Sequence, residues 1–250
     1  MRRALRLCVS IFLVSLVFSS SHAWAGDADA LMTEIDDLMN SADDETFVFS
    51  AKTLEKGKNP RLVVLQVWIK DGMRLTEFLE PGDLKGMKAL TLSASQIYTY
   101  LPEYKKVRRV ASHTSEAGFM GMAYGQAEMA LSRYAEVYAS NKLSEDDKAW
   151  TLELTPKADT QAPYPKIQLV ISKTIKRPIE LRYFNASGKL AKTETRSGFE
   201  CKGKVCNAKT MRMVDHTKDG LETTFKMSDW KVNSGLSKRK FSVRSLQGRR

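Results

Sequence analysis

The sequence predicts an α+β fold in which one long antiparallel sheet is accompanied by two helices. A series of β-rich segments is separated by turn residues such as Lys58-Asn-Pro60 and Asn185-Ala-Ser-Gly188, as hairpin connections require. Two other segments place their apolar residues at helical spacing. The 250 residues contain no tandem repeat or long linker, so we expect a single domain with a full core.

The N-terminal residues predict export. Three arginines precede an apolar run from Leu7 to Phe18, and Ala23-Trp24-Ala25 supplies a small-x-small pattern before Gly26. This is the layout of a secretory signal peptide, residues 1–25. An uncleaved membrane anchor is the alternative, but the apolar run is shorter than the roughly 20 residues of a membrane span. We therefore expect a soluble mature chain, 26–250, in the periplasm.

The first element of the mature chain is predicted to be a helix from Asp27 to about Asn40. Leu31, Ile35, Leu38 and Met39 fall on one face of it, and acidic residues suit the positive end of a helix dipole. A second helix is predicted from Gln126 to about Ala139. Its apolar residues at helical spacing are Met129, Ala130, Tyr134, Val137 and Tyr138.

Strands are predicted throughout the rest of the chain, where β-branched and aromatic residues alternate with polar ones. Before the second helix they are Thr46–Glu55, Arg61–Lys70, Met73–Leu79, Ala89–Ser93, Gln96–Leu101 and Lys106–Ala111. After it they are Trp150–Thr155, Lys166–Lys173, Pro178–Phe184, Lys189–Phe199, Lys204–Asp215 and Leu221–Met227.

The strand Arg61–Lys70 is apolar on both faces. Val63, Leu65, Val67 and Ile69 lie on one face, whereas Leu62, Val64 and Trp68 lie on the other. Such a strand needs two dry environments. One is the core, and the other is either a covering helix or a concave wall that a ligand fills.

Two cysteines of the mature chain, Cys201 and Cys206, predict a disulfide. They form an even pair in an oxidising compartment and flank Gly203, which suits the tip of a hairpin. The segment offers too few ligands for a metal site, and its spacing is not that of a redox C-x-x-C motif. We interpret the pair as a local staple between two strands.

The charge balance is basic. Loss of the three N-terminal arginines would lower the formal net charge from +11 to +8. Lys105, Lys106, Arg108 and Arg109 form one basic cluster. Export and the absence of a nucleic-acid motif argue against DNA or RNA, which leaves a solvated strand face, anionic lipid headgroups or an acidic docking protein.

No pattern predicts catalysis or a cofactor. The two mature histidines, His113 and His216, have no nucleophile elbow, HExxH motif, phosphate loop or dinucleotide-binding turn around them. The stretch from Gln96 to Gly121 instead joins an aromatic strand, a basic strand and a segment rich in methionine and glycine. It indicates a surface for an apolar ligand rather than a site of bond cleavage.

Three segments carry a family resemblance. Phe78-Leu-Glu-Pro-Gly-Asp-Leu-Lys-Gly86, the stretch from Ile97 to Val110 and Phe119-Met-Gly121 resemble the LolA-like family of outer membrane lipoprotein-sorting proteins. The likeness extends from about Phe47 to Leu246. It implies a strongly curved antiparallel sheet, a half-open barrel, whose concave apolar face is closed by helices. It also implies a non-enzymatic periplasmic carrier of acyl chains, from lipoproteins or from lipids, toward the outer membrane.

The resemblance implies partners and a binding wall. An inner-membrane transporter and an outer-membrane acceptor are the implied partners, with transient membrane contact, and a non-transporting accessory subunit that docks on an envelope complex is the alternative. We expect adaptable methionines and aromatic residues to form the cavity and its lid. The expected ligand-binding residues are Trp68, Phe78, Tyr98, Tyr100, Phe119, Met120, Met122, Tyr124, Met129 and Tyr134.

One departure from the family pattern concerns acidic residues. Relatives carry an acid soon after the Phe-Met-Gly motif and an acidic pair a few residues later. Here those places read Met122-Ala-Tyr124 and Ala127-Glu128, so Glu128 is the remaining acid. If the acid in the relatives latches the lid or docks a partner, this chain does so differently.

Overall fold

The computed structural model describes residues 23–93, 96–110 and 119–248, and one antiparallel sheet of 13 strands dominates them. The first six strands are β1 Asp44–Leu54, β2 Arg61–Lys70, β3 Met73–Glu80, β4 Lys88–Ser93, β5 Gln96–Leu101 and β6 Lys106–Arg109. The others are β7 Tyr138–Glu145, β8 Ala149–Pro156, β9 Lys166–Ser172, β10 Arg177–Phe184, β11 Leu190–Lys202, β12 Val205–Asp215 and β13 Leu221–Val232. The helices are α1 Ala23–Met39, α2 Gln126–Ala130, α3 Tyr134–Val137 and α4 Val243–Leu246.

The sheet consists of two meanders joined at one seam. Strands β1 to β6 pair in chain order, as do β7 to β13, and β1 pairs with β13 between them. The edges are therefore β6 and β7, which do not pair with each other, and the sheet stays open. This is the curved half-open barrel that the family resemblance implied.

The predicted strands are all present, most with ends within two residues of those expected. Strand β7 was missed because its residues from Tyr138 onward were assigned partly to the second helix. Its outer half, Asn141 to Glu145, is largely exposed and polar, so it lacks the alternation by which a strand is recognised.

The predicted helix from Gln126 to Ala139 is wrong in its continuity and its end. The chain forms α2 and α3, separated by extended residues at Leu131 and Arg133. Asn40 Nδ2 donates a hydrogen bond to the backbone oxygen of Ser132 at 2.9 Å, and Tyr138 pairs with Pro156 in the sheet. Tertiary hydrogen bonds therefore override the helical period in this segment.

Helices cover the concave face of the sheet. Helix α1 buries Ala28, Met32 and Ile35 and packs against β7, β10 and β12. The segment 119–137, which we name the lid, contains α2 and α3, and α3 packs against both α1 and β7. The concave face is thus closed by α1 and the lid.

The convex face of β2 to β6 has its own cover, residues 236–246, which we name the C-terminal cover. Phe241 and Leu246 pack with Leu75 and Leu90 of the sheet to form a second buried cluster. Lys240 Nζ lies 3.7 Å from the ring centre of Trp68 on the same face. Strand β2 therefore meets a dry environment on each side, as its two apolar faces predicted.

The disulfide prediction is confirmed. Cys201 and Cys206 are bonded and stand opposite each other at the end of the β11–β12 hairpin, with Gly203 at φ +63° in the turn. The bond staples two strands that are already paired.

The predicted signal peptide, residues 1–25, lies almost entirely outside the described residues. Within the described ranges, no helix has both the length and the apolar character that a membrane span requires.

A cavity between the sheet and the lid

A cavity of about 690 Å³ lies between the concave face, α1 and the lid. This volume falls within the range of about 300–1,000 Å³ that is usual for small-molecule sites. Residues of the lid and of the sheet both line the cavity. The lid therefore spans the concave face without filling the space beneath it.

The middle of the cavity is apolar. Its wall there consists of inward-facing side chains from neighbouring strands and of lid residues: Phe47, Phe49, Leu65, Val67, Met211, Phe225, Met227, Phe119 and Met129. Phe49 packs on Phe47 and Phe225 with ring centres 4.7 and 5.0 Å apart. Aromatic rings and flexible methionines provide a wall that can follow the shape of an apolar ligand.

One end of the cavity is polar. Glu45, Ile69, Arg74, Thr91 and Ile97 are register partners across β1 to β5, and all five line the cavity. Register partners of an antiparallel pair lie on the same face, so this set forms one row across the concave face. The next row begins with the apolar pair Phe47 and Val67.

Glu45 is held at this end by neutral donors. Its Oε2 accepts hydrogen bonds from Trp230 Nε1 at 2.8 Å and from the amide of Asn207. Burial raises the pKa of Glu45, although these two donors and the nearby Arg74 and Arg177 oppose that rise. The carboxylate is thus oriented toward β12 and β13.

The start of the lid is tied to the sheet. Arg61 Nη1 donates to the backbone oxygen of Met120 at 2.8 Å, and Thr223 Oγ1 accepts from the backbone NH of Ala123 at 2.9 Å. Gly121 has φ +76°, and a Cβ there would lie 3.3 Å from Arg61 Nη1. The glycine of the Phe-Met-Gly motif is therefore required for this close approach.

The other end of the lid is tied to α1. Asp36 Oδ2 accepts from the backbone NH of Ala135 at 2.7 Å, and Arg133 Nη1 pairs with Asp37 at 2.9 Å. Among the described residues, Asp36 Oδ1 is buried without a hydrogen-bond partner. Burial raises the pKa of Asp36 to about 6.

Glu128 fastens the middle of the lid. It is the acid that remains where relatives carry several acidic residues. It accepts hydrogen bonds from Lys192 Nζ and the backbone NH of Gly125, each at 2.6 Å, and from Tyr164 OH. Its side chain is 1% exposed and that of Lys192 is 6% exposed. A paired, buried acid at this position is a structural latch between α2 and β11.

A second ion pair lies in the wall of β11. Arg196 Nε is 2.7 Å from Glu194 Oε1, and Tyr183 OH donates to the same carboxylate at 3.1 Å. Burial by itself would lower the pKa of Arg196. The adjacent Glu194 carboxylate outweighs that effect, and the pKa of Arg196 is raised above its usual value. Burial raises the pKa of Tyr134, a lid residue beside this pair, to about 12.

The expected ligand-binding residues fall into three groups. Phe119, Tyr124, Met129 and Tyr134 line the cavity. Phe78, Met120 and Met122 belong to the main core around it but do not border the open volume. Trp68, Tyr98 and Tyr100 pack on the opposite, convex face with the C-terminal cover, so the structure does not place them in the cavity wall.

The basic cluster lies on the hairpin of β5 and β6, at one edge of the sheet. Lys105, Lys106, Arg108 and Arg109 are exposed there. Thr99 faces Arg108 and Tyr98 faces Arg109 across the hairpin. The cluster is therefore divided, with Arg108 on the concave side and Arg109 on the convex side.

Sequence reasoning missed the charged side chains of the cavity. Arg74, Arg196, Glu45 and Glu194 all line it, yet each stands in a strand whose pattern looks like ordinary alternation. The available signal was register: an inward-facing strand position occupied by a charge is costly unless it has a partner or a function.

Comparison with known proteins places this geometry in a family. A family model described as "Uncharacterized protein" matches residues 70–248. No curated protein sequence gives a significant match to the chain.

Three solved structures share the fold. A DUF1329 family protein from Desulfovibrio piger superposes with a TM-score of 0.82 at 19% identity, over 89% of this chain and 99% of that one. A putative outer membrane lipoprotein-sorting protein domain from Vibrio parahaemolyticus gives 0.79 at 25% identity, over 89% and 99%. A LolA superfamily protein from Nitrosomonas europaea gives 0.73 at 20% identity, over 87% and 99%.

These structures confirm the LolA-like half-barrel along nearly the whole of each relative. The matched family model covers well over half of the present chain. The chain therefore belongs to the family that this model describes, and its fold is that of the LolA-like lipoprotein-sorting proteins.

Proposed function

We propose that this protein is a periplasmic carrier that binds acyl chains of lipoproteins or lipids in its half-barrel cavity and delivers them toward the outer membrane. The observation that carries the proposal is the cavity of about 690 Å³ under a tethered lid, with aromatic and aliphatic side chains in its wall. Its relatives include a putative outer membrane lipoprotein-sorting protein, which agrees with such a role. No enzymatic step is part of the proposal.

The energetics of the cavity suit reversible binding. Burial of acyl methylenes gains about 0.8 kcal/mol each, and much of that gain is offset by the lost freedom of the chain and of the protein. The lid contributes Met129 and Phe119 to the wall. A flexible methionine in a lid favours binding of chains that differ in shape, and it eases release.

The direct test is native mass spectrometry of the protein isolated gently from periplasm, with identification of any bound lipid. We expect a stoichiometric lipid or acylated peptide. Met129→Asp should remove most of it, because a charge in the dry wall opposes burial of an apolar chain. Met129→Leu is the matched control and should retain the lipid.

An apo mass that persists after incubation with envelope lipids would contradict the carrier role. Lipid retention in Met129→Asp equal to that of the parent protein would contradict the lid's place in the binding site. Circular dichroism of both variants verifies that their folds are unchanged.

The exposed basic hairpin favours a docking step. We propose that Lys105, Lys106 and Arg108 contact anionic headgroups or an acidic partner in the envelope during loading or delivery. The exposed ring of Tyr104, at 58%, lies in the turn of the same hairpin, and aromatic residues of this kind suit a membrane interface.

Charge reversal tests this docking step. Replacement of Lys105, Lys106 and Arg108 by glutamate should abolish co-sedimentation with vesicles that contain about 30% anionic lipid, at low salt, because surface attraction is screened within a Debye length. The lipid bound in the cavity should be retained. Reversal of three exposed lysines away from that hairpin, Lys204, Lys209 and Lys226, serves as the matched control. Unchanged sedimentation of the hairpin variant would contradict the proposal.

A further inference from the structure

Arg74 stands out among the charged side chains of the cavity. It lies in the polar row of the concave face, between its register partners Ile69 and Thr91, and it lines the cavity. Within the described residues, no acceptor lies within hydrogen-bond or ion-pair distance of its guanidinium. Its charge is therefore directed into the cavity without a partner.

The other arginines that border the cavity or its lid are all engaged. Arg61 donates to the backbone of the lid, and Arg196 pairs with Glu194. Arg177 donates to the backbone oxygens of Leu38 and Lys204 at 2.8 and 2.9 Å. Arg74 is thus the arginine of this wall whose five donors remain available to a ligand.

The charges nearest to Arg74 do not pair with it. Glu45 and Arg196 act on it electrostatically, but Arg196 forms its ion pair with Glu194. Glu45 is already occupied by Trp230 and Asn207. Burial lowers the pKa of Arg74, and the neighbouring Arg196 adds to that effect while Glu45 opposes it. An arginine nevertheless stays protonated in proteins.

A cation held without a partner in a low-dielectric wall is costly, and an anionic ligand would supply the missing counter-charge. The guanidinium is suited to this role because it binds carboxylate and phosphate groups with two parallel hydrogen bonds. In the adjacent row, Phe47 and Val67 provide an apolar surface for the uncharged part of such a ligand.

We propose that Arg74 binds the single anionic group, a carboxylate or a phosphate, of an amphiphilic cargo whose acyl chain lies along Phe47, Val67, Phe49 and Leu65. This inference rests on the proposed carrier function and adds the chemical class of the cargo: an amphiphile with one negative charge beside its acyl chain. The cavity thereby sets the orientation of the cargo, with its headgroup at the row of Glu45 and Arg74.

Paired fluorescent probes test the inference. Delipidated protein is titrated with cis-parinaric acid and with its methyl ester, which differ in the negative charge of the headgroup. We expect the parent protein to bind the acid about tenfold more tightly than the ester. Arg74→Gln should remove that preference and leave the affinity for the ester within about twofold, whereas Arg74→Lys should keep part of the preference.

Arg212→Gln is the matched control, since Arg212 is an exposed arginine paired with Glu222 on β12 and β13, and it should alter neither affinity. Displacement of the bound probe by oleate or by lysophosphatidate, each compared with neutral monoolein, separates a carboxylate from a phosphate headgroup. Retention of ester binding in Arg74→Gln also verifies that the variant is folded.

Equal affinities of the parent protein for acid and ester would overturn the role of Arg74 and leave the carrier function intact. An equal loss of both affinities in Arg74→Gln would likewise overturn it, in favour of a structural role. If the parent protein binds neither probe, the carrier function fails, and this inference fails with it.

Discussion

The two faces of the sheet between β2 and β4 differ in how their covers meet them. On the convex face, Phe241 and Leu246 of the C-terminal cover insert against Leu75 and Leu90 and leave a closed cluster. On the concave face, the lid is held by polar tethers at its ends and by Glu128 at its middle, and a cavity of about 690 Å³ remains. The same strands therefore support a packed interface and a binding site, and the manner of attachment of the cover decides which forms.

The two covers are also anchored by different aspartates. Asp44 accepts from the backbone NH groups of residues 234 to 236 and from Ser234 Oγ, at 2.8 to 2.9 Å. Burial opposes its charge, but these donors hold the pKa of Asp44 below its usual value. Asp36, which anchors the lid, leaves Oδ1 without a partner among the described residues. Both carboxylate oxygens of Asp44 thus have hydrogen-bond partners, whereas one oxygen of Asp36 has none among the described residues.

The largest expected effect concerns the closed face. Leu90→Ala should lower the free energy of unfolding by about 3–5 kcal/mol, because Leu90 is completely buried and its removal leaves a void among packed side chains. Lipid binding per folded molecule should not change. Denaturant titration gives the free energy, and titration with cis-parinaric acid gives the affinity.

Leu62→Ala is the control on the same face of the sheet, since Leu62 is 52% exposed and should give a change below about 0.5 kcal/mol. A loss of lipid affinity in Leu90→Ala would mean that the two faces are coupled. It would contradict the assignment of packing to the convex face and of binding to the concave face.

Sequence reasoning predicted the sheet, its strands and the double-faced character of β2, because alternation and turn residues are local signals. It did not distinguish Trp68 from Leu65, since both are apolar and the difference between a packed face and an open one depends on the distant segments that cover them. It also missed Arg74, whose importance appears when Glu45, Ile69 and Thr91 are aligned across strands. The predicted end of the second helix was wrong for a similar reason: the strand partner of Tyr138 is Pro156 of β8, which is distant in sequence.

The tether of the lid should respond to pH with a sign opposite to that of a typical salt-bridged carboxylate. Burial raises the pKa of Asp36 to about 6 in the folded protein, from 3.8 for an aspartate free in solution, which represents the unfolded chain. The folded state therefore binds a proton first as pH falls. This group's contribution to the free energy of unfolding is about 3 kcal/mol at low pH, and about 2 kcal/mol of it is lost as pH rises from about 4 to about 6.

Comparison of the unfolding free energies of the parent protein and Asp36→Asn across pH 4 to 7 measures this contribution. The difference between the two should change by that amount within this window and be constant above pH 7. Asp27→Asn, which removes an exposed acid from the same helix, is the matched control for the loss of one carboxylate. Parallel pH profiles for the parent protein and Asp36→Asn would contradict the raised pKa.

The smallest effect on stability is expected at the open face, and it completes the comparison with Leu90. Leu65 is equally hidden from bulk solvent, at 2% exposure, but its side chain borders the cavity. Leu65→Ala should cost about 2 kcal/mol, the transfer free energy of the deleted carbons, because the void beside it already exists and little further packing is lost.

The enlarged cavity should shift chain-length preference toward longer fatty acids in competition with cis-parinaric acid, a change that Leu90→Ala should not produce. If both variants lose equal stability and neither alters chain-length preference, the concave wall is as tightly packed as the convex cluster. The distinction between a lid over a binding site and a cover over a core would then fail.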